Sequence, residues 1–447
     1  MKSSLLTVGT VLACILCPCA SSAQTTVSTL AGNGQAGPND GPGSNAQFNN
    51  PYGVARDGLG NTYVADAFNH LIRKISPGGA VTTIGGNGTF GYVNSTNGIA
   101  AAFNNPEKLV ADAAGNIYVA DTGNGSIRRI DATTGAVTTF AGSGQSGYVD
   151  GPAATARFNG PIGLAFDLAT SSFYVADADN YRIRHIDATG TTTTLAGSGV
   201  RGFLDGPAAT ARFLEPQGIA LDAQGNLYIA DRAAHRVRKL SPAGVVSTYA
   251  GSGTAGYVDG PAASARFNSP IGVAVDAAGT VYVMDRDNQR VRRITLDGQV
   301  STVAGSGQAG YADGPAATAQ FNRAYDLCVS GSSLFIADAN NHRIRQVTNL
   351  PLAAATARPA TTGLTLANYP NPFRQQTRLV GYAPQAGFLK VEVYNAVGKR
   401  VFQANEARAT AGPFDFVFDA NGLAPGLYFC RLSIGPYATS RTLLLTP

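Results

Sequence analysis

Six copies of one sequence repeat occupy most of this 447-residue chain. A period near 55 residues is typical of solenoids, propellers and other arrays, whose units bury apolar residues only against their neighbours. The repeat therefore decides the fold. Each copy opens on a phenylalanine, and the six lie 55, 55, 55, 54 and 54 residues apart: Phe48, Phe103, Phe158, Phe213, Phe267 and Phe321.

The fifth copy shows the repeat unit most plainly. It contains four short apolar segments, 272–276, 281–285, 290–294 and 300–305, three of which alternate small or branched apolar residues with polar ones at period two, with Gly, Asn and Asp at the joins. This pattern favours strands over helices. Each copy is predicted to form a four-stranded antiparallel blade, and a closed ring of blades protects the exposed sheet edges. The predicted fold is all-β, a six-bladed β-propeller.

The two ends of the array predict how the ring closes. The sixth copy ends at 343–347 without a fourth strand, whereas segment 27–32 precedes the first phenylalanine and matches segment 137–142. Pairing this N-terminal strand into the sixth blade would remove the open edge of the ring. An open superhelix would gain nothing from the offset.

These residues resemble the NHL-repeat six-bladed propellers. The first copy contains Asn69-His70-Leu71, and the sixth reads Asn341-His342-Arg343 at the same place. The resemblance covers roughly residues 25 to 349 and implies a propeller over residues 24–350. The fourth copy has Ala234 where the others have Asn, so no ligand role should require all six Asn positions.

Composition and charge argue against a nucleic-acid partner. Glycine is abundant (54 residues), tryptophan is absent, and only 14% of residues are charged, which suits tight turns in thin blades. The formal charge of +5 is dispersed over all blades. Some NHL propellers bind RNA, but this chain lacks the concentrated basic stripe that such binding needs.

The N-terminus predicts export. Residues 1–23 combine Lys2, an apolar run from Leu5 to Cys17 and a small-residue ending, which is typical of a secretory signal peptide cleaved after Ala23. Lipidation at Cys14 is the alternative, although Leu12 fits a lipidation box poorly. We expect no transmembrane segment in the mature chain, which keeps only Cys328 and Cys430 of the five cysteines; we expect buried thiols rather than a disulfide.

The C-terminal part has a different character. Residues 351–365 read as an Ala/Thr/Pro-rich linker, and residues 366–447 as a small β-sandwich. Segments 369–373, 390–401 and 423–432 resemble, in order, the C-terminal sorting domain of Bacteroidetes type IX secretion cargo. The resemblance implies the type IX machinery as a partner and a location at the outer-membrane surface or outside the cell. An adhesive sandwich that stays on the protein is the alternative.

Two sets of charged residues recur in every blade. We expect the loop between the second and third strands to share a face with the loop to the next blade. A ligand surface for a cation or sugar hydroxyls is one interpretation of the sets. Turn capping by each Asp, with pairing to an Arg inside the blade, is the other, and recurrence in every blade favours it. The sets are Asp66, Asp121, Asp177, Asp231, Asp285 and Asp338, each followed seven residues later by Arg73, Arg128, Arg184, Arg238, Arg292 and Arg345.

The loop between blades carries a second repeated motif. Asp150-Gly151-Pro152 is typical of a helix start with Asp as N-cap, and Asp205, Asp259 and Asp313 repeat it. The repeat breaks at other places, where a site could arise through asymmetry. These asymmetric positions are Asn94, Arg232 and His235.

Catalytic signatures are sparse. His70, His235 and His342 occupy one turn position in different blades, His185 lies on a third strand, and the sequence shows no Ser-His-Asp pattern. We predict no cofactor and disfavour zinc catalysis; calcium stays open, because loop carboxylates and carbonyls bind it without a sequence signature.

The functional expectation is a monomeric, extracellular module that binds a protein or a glycan. The alternatives are a lactonase-like hydrolase or amidating-lyase-like enzyme with a metal in the central channel, and a spacer without a small ligand. An enzyme should bring acidic or His side chains from at least three blades together in the channel.

Overall fold

The computed structural model describes residues 24–350, 364–369, 373–383, 385–408, 412–435 and 437–446. The predicted signal peptide, residues 1–23, and residues 351–363 of the predicted linker lie outside this described part. The chain divides into two compact units between Ala353 and Ala354. Within the described ranges the elements are strands and single 3-10 turns, and no helix there has the length and hydropathy of a membrane span.

The first unit consists of six antiparallel sheets of four or five strands. The long strands are β1 (Thr26–Ala31), β3 (Pro51–Arg56), β4 (Thr62–Asp66), β5 (Leu71–Ile75), β6 (Ala80–Gly85), β7 (Pro106–Ala111), β8 (Ile117–Asp121), β9 (Ser126–Ile130), β10 (Val137–Ala141), β11 (Pro161–Asp167), β12 (Ser172–Asp177), β13 (Arg182–Ile186), β14 (Thr192–Ala196), β16 (Pro216–Leu221), β17 (Leu227–Asp231), β18 (Arg236–Leu240), β19 (Val245–Ala250), β21 (Pro270–Val275), β22 (Val281–Asp285), β23 (Arg290–Ile294), β24 (Gln299–Ala304), β26 (Asp326–Ser330), β27 (Ser333–Asp338) and β28 (Arg343–Thr348). Two-residue strands add to four outer edges: β2 (Gly41–Pro42), β15 (Gly206–Pro207), β20 (Gly260–Pro261) and β25 (Gly314–Pro315).

The six sheets are blades arranged in a closed ring. Their first strands, β3, β7, β11, β16, β21 and β26, each contact the next, and β26 contacts β3. These inner strands therefore line a central channel, and blades 1 to 6 are numbered from β3 to β26. The predicted six-bladed propeller is confirmed.

The N-terminal strand completes the sixth blade, as predicted. β1 pairs antiparallel with β28, Val27 lying opposite Val347. Val27 and Ala31 are buried, and Ala31 shares a core with Phe48 and Val54 of blade 1. Ring closure thus depends on residues at opposite ends of the repeat array.

Apolar cores lie between neighbouring blades. Every residue of the second strands β4, β8, β17 and β22 is buried, because these strands have a blade on either side. The six repeat phenylalanines are almost fully buried between blades. Each blade therefore needs both neighbours to bury its apolar residues.

The turns between second and third strands lie at the same face as the segments that lead into the inner strands. Each turn is a single 3-10 turn whose backbone N–H groups bond to that segment, as Phe68 does to the carbonyl of Asn49 (3.1 Å) and Arg232 to that of Glu215 (2.9 Å). This shared face is as predicted. The turns span Ala67–Asn69, Thr122–Asn124, Ala178–Asn180, Arg232–Ala234, Arg286–Asn288 and Ala339–Asn341; another 3-10 turn, Gly98–Ala100, precedes β7.

The second unit is a small β-sandwich, as expected. Its two antiparallel sheets have the orders β29-β30-β33 and β32-β31-β34-β35, and residues of both enter one core that includes Leu379 and Val391. Cys430 lies in this core and Cys328 in blade 6; both are free thiols. The strands are β29 (Thr365–Tyr369), β30 (Gln376–Ala383), β31 (Gly387–Asn395), β32 (Arg400–Arg408), β33 (Gly412–Asp419), β34 (Gly426–Ile434) and β35 (Tyr437–Leu445).

Candidate functional site at the channel mouth

The repeated Asp and Arg side chains are paired inside the blades. In each of the six pairs both side chains have an exposed fraction of zero, and the bonded atoms lie 2.6–3.1 Å apart. The structure thus places these twelve side chains out of reach of a ligand at the surface. The pairs are Asp66–Arg73, Asp121–Arg128, Asp177–Arg184, Asp231–Arg238, Asp285–Arg292 and Asp338–Arg345.

Blade 3 shows how each pair is satisfied. Arg184 donates to Asp177 (2.6 Å), to Asp150 (2.6 Å) and to the carbonyls of Val149 and Arg157 (3.0 Å each). Asp177 accepts the backbone N–H of Asn159 (2.8 Å). Burial nevertheless raises the pKa of the paired aspartates, to about 6 for Asp66 and Asp285. The network joins the third strand to both loops of its face.

The expected capping role of these aspartates is wrong. None of the six turns between second and third strands receives a side-chain cap from the preceding Asp, because both carboxylate oxygens already accept other bonds. In blade 3 the Nδ2 atom of Asn180 instead links Asp177 to the carbonyl of Gly147, at 2.8 Å each.

The predicted helix start after Asp150 is also wrong. No helix follows, and Asp150 instead accepts bonds from Arg184 and from Thr194 of the outer strand. Asn94 takes the same place in blade 2, where its Oδ1 accepts bonds from Arg128 (2.8 Å) and Thr139 (3.3 Å). The asymmetry at Asn94 is therefore a substitution within the repeated network.

The turn histidines link neighbouring blades. The Nδ1 atoms of His70, His235 and His342 accept backbone N–H groups of the next blade, from Asn105, Ser269 and Asn50, at 3.1–3.2 Å. Burial lowers the pKa of all three, which favours the neutral form that accepts this bond. Of the asymmetric positions, His235 thus has a structural partner.

The central channel is almost closed at the level of the third residue of strands β3, β7, β11, β16 and β21, where β26 contributes its first residue. Gly53, Gly163, Gly218 and Gly272 stand there because a Cβ atom would lie only 1.9–2.9 Å from backbone atoms of the next blade. Blades 2 and 6 instead carry Lys108 and Asp326, which form an ion pair (2.6 Å), and Asp326 also accepts the backbone N–H of Val54 in blade 1 (3.0 Å). The remaining cavity is about 20 Å³, close to the volume that holds one water molecule.

The residue that precedes this level in each blade varies around the ring, with four residue types in six blades. These residues lie at or next to the start of each inner strand, and with the adjacent turns they form what we term the channel mouth. The six are Tyr52, Glu107, Ile162, Gln217, Ile271 and Tyr325.

Carboxylates from three consecutive blades interact electrostatically on one side of the mouth, the acidic side: Glu107 (blade 2), Asp179 (blade 3) and Glu215 (blade 4). Burial and the charges of the other two raise the pKa of Glu107 to about 8. Glu215 pairs with Arg232 and accepts a bond from Gln217 (2.6 Å). Of the predicted asymmetric positions, Arg232 is the one that the structure places in this cluster.

Aromatic rings and arginines form the opposite side, the aromatic side. Tyr52 and Tyr325 stack with ring centroids 3.9 Å apart, and the half-exposed Phe68 packs edge-on against Tyr52 at 5.6 Å. The Arg286 guanidinium lies 5.5 Å from the Tyr325 ring centroid and pairs with Asp287 (3.0 Å). The mouth is therefore acidic across blades 2–4 and aromatic with cationic groups across blades 5, 6 and 1.

The mouth cluster could be found only by aligning the copies. Once the six prolines or their equivalents are in register, the next position reads Tyr, Glu, Ile, Gln, Ile and Tyr. Within the described residues no group of three or more His, Cys, Asp or Glu side chains has a metal-binding arrangement.

The raised pKa of Glu107 predicts a pH-dependent stability. The folded chain keeps a proton that the unfolded chain loses above about pH 4.5, so stability falls as pH rises towards 8, by up to about 1.4 kcal/mol per unit. We expect Glu107→Gln to reduce this slope between pH 6.5 and 8, measured by urea unfolding. Asp297→Asn, at an exposed turn, is the control and should retain the slope; an unchanged slope in Glu107→Gln would contradict the assignment.

Family models match three parts of the chain. NHL repeats match residues 103–130 and 267–294, an SMP-30/gluconolactonase/LRE-like region matches 152–255, and a secretion system C-terminal sorting domain matches 367–446. The predicted NHL repeats and sorting domain are confirmed. The sorting domain indicates export by type IX secretion to the cell surface or the extracellular space.

Curated relatives share the repeat region. Protein SUPPRESSOR OF QUENCHING 1, chloroplastic, of Arabidopsis thaliana is 31% identical over 284 residues, covering 60% of this chain and 27% of that protein. NHL repeat-containing protein 2 of Homo sapiens is 28% identical over 310 residues, covering 61% and 42%. The chain thus spans less than half the length of these relatives.

Two solved structures with the same fold are proteins of Bacteroides thetaiotaomicron. One is a structural genomics protein of unknown function, with TM-score 0.58 and 24% identity, covering 72% of this chain and 76% of that chain. Another is an auxiliary nutrient binding protein with TM-score 0.56, 18% identity and the same coverage. At these identities the likeness shows the propeller fold alone.

Proposed function

We propose that this chain, an NHL-repeat propeller exported by its C-terminal sorting domain, binds an extracellular protein or glycan at the channel mouth. One observation carries the proposal: the buried Asp–Arg pair recurs in all six blades, whereas the mouth position carries four different residue types. A structural repeat tolerates uniform residues, but a ligand without sixfold symmetry requires different groups around the axis. Function is thus argued from the site and not from the fold.

The chemistry of the mouth suits binding. Asp179 is exposed, Phe68 is 50% exposed, and Arg323, whose Nε lies 3.9 Å from Asp287, has a 54% exposed side chain. Charged groups and a partly exposed aromatic ring together supply hydrogen bonds and apolar contact, the usual combination at binding sites. The narrow channel below supports a ligand that rests on the mouth.

The test compares two substitutions in the mouth with a matched control. Full-length mature protein is screened on glycan and peptide arrays, and the best ligand is measured by calorimetry. We expect Phe68→Ala and Glu215→Gln to weaken binding at least tenfold. Leu59→Ala, in the β3–β4 turn at the other end of β4 and 83% exposed, should change binding less than twofold. Equal affinities in all four proteins would contradict the proposal.

An extracellular hydrolase or lyase is the second candidate. The match to the SMP-30/gluconolactonase/LRE-like region and the proton held by Glu107 at neutral pH favour it, since a neutral carboxylic acid can serve as a general acid. The described donor set offers no metal arrangement for a metal-dependent version. Turnover of lactones by the parent protein but not by Glu107→Gln would support this candidate.

A further inference from the structure

We propose that the acidic side of the mouth is a hydroxyl-binding subsite and that the ligand is a neutral carbohydrate, one hydroxyl of which donates to Gln217 and accepts from Arg232. The inference rests on the proposed function and names its ligand class. It comes from two buried polar atoms on blade 4.

The first atom is Oε1 of Gln217. This residue is only 5% exposed, and its Nε2 donates to Glu215 (2.6 Å). Its Oε1 is buried and has no hydrogen-bond partner among the described residues. Buried polar atoms are nearly always bonded, so an unpartnered buried acceptor beside the mouth residues indicates a donor from outside the described residues.

The second atom is Nε of Arg232. The Nη1 of this residue pairs with the same oxygen of Glu215 that Gln217 contacts, whereas its Nε is buried and has no partner in the described part of the chain. An unpartnered donor and an unpartnered acceptor therefore flank one carboxylate.

The pairing of these two atoms selects the chemistry of the ligand. A hydroxyl group donates one bond and accepts others, so a single hydroxyl has both functions that these two atoms require. An ammonium group could satisfy only Gln217, and a carboxylate group could satisfy only Arg232. The subsite is thus matched to a hydroxyl.

The surroundings extend the match from one hydroxyl to a sugar ring. Glu107 and Asp179 place further carboxyl groups beside Glu215, and Glu107 holds a proton at neutral pH, so it can donate as well as accept. Across the mouth, Phe68 and Tyr52 offer apolar ring surface for the C–H groups of a sugar. A ligand without net charge also avoids desolvating a charge in the mouth.

The test uses a panel of neutral sugars: glucose, galactose, mannose, N-acetylglucosamine, cellobiose and maltose. Saturation-transfer NMR on full-length mature protein identifies binders, and calorimetry measures the tightest. We expect at least tenfold weaker binding in Gln217→Met and in Arg232→Lys, which keeps the charge beside Glu215 but removes Nε. Gln224→Met, on the exposed β16–β17 turn, is the control and should bind within twofold of the parent.

A deoxy analogue of the ligand shows whether Gln217 and the contacted hydroxyl act as a pair. The analogue lacking the contacted hydroxyl should bind the parent protein as weakly as the intact sugar binds Gln217→Met, and should lose no further affinity in that variant. Parental affinity in both Gln217→Met and Arg232→Lys would overturn the subsite, and so would a panel without any binder. The proposed function fails separately, if Phe68→Ala leaves every array ligand unaffected.

Discussion

Replacing Arg184 by methionine is expected to lower the free energy of unfolding by about 3–5 kcal/mol, because it leaves the fully buried Asp177 without its cation. The same change also removes the bonds to Asp150 and to two loop carbonyls. Urea unfolding of the full chain, followed by circular dichroism, measures the loss. Arg201→Met, at an exposed loop position, is the matched control and should change stability by less than about 0.5 kcal/mol.

A double variant separates charge burial from lost packing. Asp177→Asn removes the charge but keeps an oxygen for the backbone N–H of Asn159. If an unpaired carboxylate is the main cost, Arg184→Met/Asp177→Asn should be more stable than Arg184→Met alone. A single variant as stable as the Arg201→Met control would contradict the structural role assigned to the repeated pairs.

The same network explains why sequence reasoning located the blades and identified their Asp–Arg pairs. A pair that recurs at a spacing of seven residues joins the end of the second strand to the middle of the third strand, as Asp285 and Arg292 do in blade 5. The spacing lies within one copy of the repeat, so it can be seen directly in the sequence. The closure by β1 was predictable for a similar reason, since segment 27–32 is a displaced copy of segment 137–142.

The partners of the loop aspartates were not predictable in the same way. Asp150 followed by Gly-Pro has the local signature of a helix start, but Arg184, 34 residues later, and Thr194 of the outer strand bind its carboxylate. Tertiary contacts override the local preference here. No local pattern carries information about a partner at that separation.

The mouth could not be predicted from single copies of the repeat, because its residues are defined by their place in the ring. Glu107 and Glu215 lie 108 residues apart, and nothing around either residue differs from ordinary strand sequence. Their proximity follows only when six inner strands start at one face of one channel. The sequence shows Arg232 as an irregularity of the fourth copy, but no pattern in it singles out its partner Glu215.

Removing residues 24–33 is expected to lower the melting temperature by about 10 °C or more, because the ring then lacks the outer strand of blade 6. The loss includes the buried side chains of Val27 and Ala31 and the bonds from Thr29 to Asp313. Differential scanning calorimetry of chains 24–447 and 34–447 measures the shift in the first unit.

Two further measurements separate the lost strand from a general effect of truncation. A synthetic peptide of residues 24–34, added in excess, should raise the melting temperature of chain 34–447, because it binds the folded ring and not the unfolded chain. In the full chain, Val27→Asp buries a charge against the sixth blade and should destabilise strongly, whereas Ser28→Asp, exposed on the same strand, should not. Chains 24–447 and 34–447 that melt together would contradict closure by β1.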